Sequence, residues 1–136
     1  LGVVLNRPTG SMVVEHFAGL GRLASAPAGF FVGGPVSEAS VVVLGRADDG
    51  SVELVDLAPV LEGQTAVNDL RVFLGYAGWG RGQRGGEGAT GSWSVCDGTP
   101  DDVFSSRPTR LWRDVLRRQP PPLDRLARYP DDVTSN

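Results

Sequence analysis

A chain of 136 residues is long enough for one domain with its own core, and a make-up of 40% apolar and 21% charged residues excludes a disordered polymer. A formal net charge of −3 removes any global attraction to nucleic acid, and a single cysteine, Cys96, excludes an internal disulfide. No apolar run approaches the roughly 20 residues of a membrane span, and no stretch has the layout of a signal peptide, so a cytoplasmic protein with no membrane contact is expected.

In chain order, Leu1-Gly2-Val3-Val4-Leu5 reads as a buried strand ended by Asn6-Arg7-Pro8, since Pro8 removes a donor and holds Arg7 extended. Nothing leads into that strand, so its free side is an expected route to self-association. Val13, Phe17, Leu20 and Ala24 recur at helical spacing, with Ser11 as the N-cap, although Gly19 and Gly21 weaken the helix. Phe30-Phe31-Val32 is a short strand stopped by Gly33-Gly34-Pro35. Val41 to Arg46 and Val52 to Leu57 form a hairpin through Asp48-Asp49-Gly50. Leu70 to Tyr76 is a further strand, residues 75–91 a flexible Gly-rich loop, and Trp93 with Val95 a last short strand. Thr99-Pro100-Asp101-Asp102 starts a helix, with Pro at its first turn and acids at the positive end of its dipole. Leu111, Trp112, Val115 and Leu116 give one apolar helical face that Pro120-Pro121-Pro122 stop, and Leu123 begins one more turn. Hairpins followed by late helices make the fold class α+β, in a single domain.

Few residues suit catalysis. All 13 basic residues are arginine, which excludes a lysine nucleophile and a Walker-type phosphate loop. Gly80-Arg81-Gly82-Gln83-Arg84-Gly85 matches a dinucleotide fingerprint, yet Gly86, Gly88 and Gly91 leave no room for the crossover helix that would carry a pyrophosphate. His16 and Cys96 suit packing better than acid–base or nucleophilic work, and one of each cannot build a zinc site. No catalytic residue, metal or cofactor is expected. The acid pairs Asp48-Asp49, Asp101-Asp102 and Asp131-Asp132 suit turns and helix starts. Arg107, Arg110, Arg113, Arg117 and Arg118 would suit a phosphate stripe, or a solvated helix face on which Asp114 pairs with Arg110 or Arg118. The second reading fits better, and direct nucleic-acid binding is not expected.

Leu1-Gly2-Val3-Val4-Leu5-Asn6-Arg7-Pro8, Phe31-Val32-Gly33-Gly34-Pro35-Val36 and Leu74-Gly75-Tyr76-Ala77-Gly78-Trp79-Gly80, with Gly82-Gln83 after it, resemble the signature blocks of the YqgE/AlgH family. The closing helix at Leu111-Trp112 is similar to the family's last helix in its actinobacterial form. The resemblance implies an antiparallel, partly barrel-like sheet with flanking helices, and further strands before the first block. It brings no agreed catalytic residues; members are often labelled as transcriptional regulators. One departure stands out: Arg84-Gly85-Gly86-Glu87-Gly88 keeps an acid but loses the apolar face of the helix expected there.

The three blocks sit at strand ends, where a rigid scaffold presents function. The expected site therefore combines Asn6, Arg7, Gly33, Gly34, Pro35, Tyr76, Trp79 and Gln83. It would serve a regulatory or interaction protein binding an unidentified protein partner. The alternative is a protein or enzyme that takes a small anionic metabolite in the pocket around Arg7, Gly33-Gly34 and Trp79.

Overall fold

A computed structural model describes residues 1–130. Its strands are β1 (Pro8–Met12), β2 (Gly29–Val32), β3 (Val36–Arg46), β4 (Val52–Val55) and β5 (Asp69–Tyr76), in the spatial order β1-β2-β5-β3-β4. β3 and β4 pair as the expected hairpin, with Gly50 at φ +85° in its turn and the Asp49 carboxylate accepting the Ser51 N–H at 2.9 Å. The fold is α+β, as expected, but the sheet is open and not barrel-like. Its pairings are antiparallel except β2 with β5, which run parallel in the register Phe30–Val72, Phe31–Phe73 and Val32–Leu74. A parallel pair needs a long crossover, and β3 and β4 are built within it.

Alternation along β5 sends side chains to two covered faces. Leu70 and Val72 pack with Val13, Leu20, Phe30, Val43, Val55 and Val60 beneath α1 (Val13–His16) and α2 (Leu57–Leu61). The apolar spacing from Val13 to Ala24 therefore marks the core contact correctly. The helix itself breaks into α1 and a 3-10 turn at Ala18–Leu20, and Met12, not Ser11, occupies the N-cap position.

On the opposite face, Phe31, Arg71 and Phe73 are almost completely buried. The Arg71 guanidinium lies 4.4 Å over the Phe31 ring. It donates to the carbonyls of Ala26 at 2.8 Å, Val103 at 2.9 Å, Ser105 at 3.0 Å and Ser25 at 3.4 Å. Burial pushes its pKa down to about 10, with Asp69 pulling it back up, so the group is charged at neutral pH. Arg71 thus ties the middle of the sheet to the loop before β2 and to the segment following α4 (Pro100–Val103).

Four local expectations are corrected. Residues 1–5 form no strand: Gly2 makes one isolated bridge to Ala77, and the Val4 N–H reaches the Gly33 carbonyl at 2.8 Å. Trp93 and Val95 lie outside any strand. The Gly-rich stretch contains a helix, α3 (Gln83–Ala89). Asp114 makes its close pairs with Arg107 at 3.1 Å and Arg117 at 3.7 Å, and its charge is only felt by Arg118, whose guanidinium forks onto Asp102. Helices α5 (Leu111–Arg117) and α6 (Leu123–Leu126) close the described chain, and Asp131-Asp132 lie outside the described residues.

Candidate functional site

The three strand-end blocks converge at one end of the sheet. β2 and β5 are parallel, so Gly33-Gly34 and Gly75-Tyr76 leave the sheet side by side, while Pro8 enters β1 opposite Phe31 and Val36 enters β3 opposite Tyr76. The glycines there are required by backbone proximity. A Cβ on Gly33 would lie 2.2 Å from the Gly75 oxygen, and one on Gly34 would lie 2.2 Å from the Tyr76 carbonyl carbon. Gly75 itself sits at φ +70° with its Cβ position 2.5 Å from the Gly34 oxygen. Gly33 and Gly34 are buried and Pro35 exposed; the glycine pair joins backbone to backbone.

The proposed side chains divide into separate groups. Asn6 lines a groove of about 440 Å³ with Leu5, Cys96, Trp112, Val115 and Leu116, on the apolar face of α5. Arg7 is exposed, and its guanidinium makes no hydrogen bond, ion pair or ring contact among the described residues. Only its carbonyl is engaged, accepting the Val32 N–H at 2.9 Å. Tyr76 is half-buried at the β5 end.

Trp79 and Gln83 do come together, around a residue that the sequence reading left out of the site. Glu87 accepts the Trp93 indole N–H at 2.6 Å, the Gln83 amide at 2.9 Å and the Trp79 indole N–H at 3.2 Å. Those hydrogen bonds, that of Gln83 foremost, then that of Trp93 and last that of Trp79, hold its carboxyl below the usual range against the opposing effect of burial. The two indoles meet edge-to-face with centroids 5.8 Å apart. Gln83 closes the network by accepting the Gly80 N–H at 3.0 Å. A usable signal was present: Gln83 and Glu87 are four residues apart, a spacing that pairs side chains on a helix.

Trp79 packs on the backbone of Gly2, where a Cβ would lie 3.1 Å from the indole Cζ3. A cavity of about 490 Å³ is lined by the two indoles together with Arg84, Gly85, Gly88, Ser94 and Val95.

A second opening lies on the sheet. Val32, Leu74 and Val41 stand directly opposite one another on β2, β5 and β3, one row beyond the covered Phe30, Val72 and Val43. Val32 and Val41 are each 40% exposed, and beside them lies a 250 Å³ cavity lined by Ser11, His16, Phe17, Phe30, Val41 and Leu74.

The remaining candidates hold structural partners. His16 packs edge-on to Phe30 at 5.4 Å. Of the clustered arginines, Arg107 and Arg117 pair with Asp114, Arg113 stacks on Trp112, and Arg118 forks onto Asp102 at 2.9 and 2.6 Å. No group of three or more His, Cys, Asp or Glu side chains among the described residues could hold a metal, and no described helix is long and apolar enough to cross a membrane.

The UPF0301 proteins of Streptomyces avermitilis and Streptomyces coelicolor are each 45% identical over 152 residues, spanning 100% of this chain and 79% of their own. A solved protein of Corynebacterium diphtheriae superposes with a TM-score of 0.84 at 27% identity, covering 93% of this chain and 74% of that one. The AlgH protein of Pseudomonas aeruginosa, at TM-score 0.64 and 24% identity over 96% of this chain and 77% of its own, shares the fold. Residues 1–124 match the AlgH-like family model, and the chain belongs to that family.

Proposed function

We propose that this chain is a non-catalytic interaction protein of the regulatory kind, which docks an apolar segment of a partner protein on the open end of its sheet. One observation carries the reading: the row Val32–Leu74–Val41 crosses three neighbouring strands and is left partly uncovered, while the adjacent row is buried with Val13, Leu20 and Val60. Apolar side chains fixed on paired strands lose little entropy on binding, and such a patch on a rigid scaffold marks a contact surface.

A photo-crosslinking side chain placed at Val41 tests this in cells, with the same group at Leu54, 69% exposed on β4, as the control. The expected result is one discrete adduct from position 41, absent from position 54 and lost when Val32 is changed to Glu. No adduct, or equal adducts from both positions, would overturn the reading; an adduct with a second copy of this chain would make the contact self-association.

A further inference from the structure

The cavity lined by Trp79 and Trp93 shares no lining residue with the open sheet row, and its chemistry is different. Both indole N–H groups are already spent on Glu87, so the rings offer carbon faces and edges to the cavity and no donors. Glu87 takes three hydrogen bonds and is not part of the lining. The charged group that does line the cavity is Arg84, exposed and without a hydrogen bond, ion pair or ring contact among the described residues. It also lines a neighbouring 370 Å³ hollow, which shares Trp79, Arg84 and Gly85 with this cavity. Its guanidinium is free to meet an acidic group in a two-pronged hydrogen bond.

We propose that this cavity binds a small organic anion with a flat apolar body, the body lying against Trp79 and Trp93 and its carboxylate or phosphate on Arg84. A volume of about 490 Å³ fits one or two fused rings with a short acidic arm. Aromatic walls beside the Arg84 guanidinium favour an anion over a neutral analogue, because only the anion gains the charge-assisted fork on it. The site does not depend on the protein-docking surface, and either can fail without the other.

The test uses three probes with one ring system: naphthalene-1-acetate, its neutral amide, and naphthalene-1-methylammonium. Binding is followed through the Trp79 and Trp93 indole N–H resonances, which report the Glu87 hydrogen bonds directly. The carboxylate should shift both resonances saturably and bind about tenfold or more tightly than the amide, as one charge-assisted hydrogen bond would give. Arg84→Gln should erase that preference while leaving weak ring binding, and Trp93→Ala should weaken all three probes. Arg84 and Trp93 are exposed, so both variants should fold; unchanged backbone resonances of β2 and β5 would confirm it. Equal affinity for acid and amide, preference for the ammonium, or shifts confined to Val32, Val41 and Leu74 would each overturn the proposal.

Discussion

Gly33 and Gly75 pass so closely that a methyl group on Gly33 would lie 2.2 Å from the Gly75 carbonyl oxygen and 3.0 Å from the Phe73 Cβ. Both obstacles belong to buried strand β5, which cannot give way. Gly33→Ala should therefore cost at least about 3 kcal/mol, at the upper end of overpacking effects. Gly86→Ala is the matched contrast. It lies within α3, at a negative φ, with nothing within 4 Å of its Cβ position, and it should stabilise by up to about 1 kcal/mol. Urea unfolding midpoints of the two variants should move in opposite directions.

Arg71 is the polar centre of the covered face. Removing its guanidinium strands four carbonyls, from Ser25, Ala26, Val103 and Ser105, and empties the space over Phe31. Arg71→Met should cost about 3 kcal/mol. Arg71→Lys should rescue little of it, because one ammonium cannot reach carbonyls on two separate loops that the planar fork spans. Full recovery by lysine, measured by denaturant titration, would contradict this account.

How far the sequence could be read follows from the range of the forces involved. The β3–β4 hairpin was legible because Asp48-Asp49-Gly50 sets its turn locally, and the α4 start because Thr99 and Asp102 cap it within one turn. Residues 1–5 have the composition of a strand, yet they find one bridging partner, at Ala77, and composition carries no partner information. α3 was illegible for the opposite reason. Its glycines favour a loop, and the Gln83–Glu87 pair, anchored by Trp79 before the helix and Trp93 after it, overrides that preference. The site was legible in part. The convergence of the three blocks at one sheet end follows from strand order, but the separation of Asn6 and Arg7 from Trp79 depends on where the chain turns afterwards.

Asp102 is buried, accepts the Thr99 N–H at 2.8 Å, and receives both prongs of Arg118. Burial alone would raise its pKa; the hydrogen bonds of Arg118 and Thr99, with the charge of Arg118, outweigh burial and hold it below 3.8. A carboxyl depressed in the folded state stabilises above its unfolded value and loses that contribution as pH falls through the folded one. The wild type should therefore lose stability below about pH 4, whereas Asp102→Asn should be flatter there. At pH 7 that variant should be weaker by about 2 kcal/mol, less than for a fully buried pair because Arg118 is 42% exposed. Parallel acid profiles for the two proteins would show that this pair carries no linkage.

Trp79 should be energetically tied to Glu87 and independent of Arg7. The indole donates to Glu87 at 3.2 Å and meets Trp93 edge-on, so a change at any of the three alters the surroundings of the others. Arg7 has an exposed side chain, engages the sheet only through its carbonyl, and lines neither cavity that touches Trp79. Glu87→Gln should therefore move the indole N–H resonances of both Trp79 and Trp93, and acid titration of the wild type should move them together at a pH below the ordinary glutamate range. Arg7→Ala should leave both resonances in place. The stability effects of Arg7→Ala and Trp79→Phe should add to within about 0.5 kcal/mol, as for sites with no shared partner. A larger coupling, or an Arg7→Ala variant that shifts the Trp79 indole, would instead place Arg7 and Trp79 in one site, with the guanidinium reaching across the sheet end to the aromatic pair.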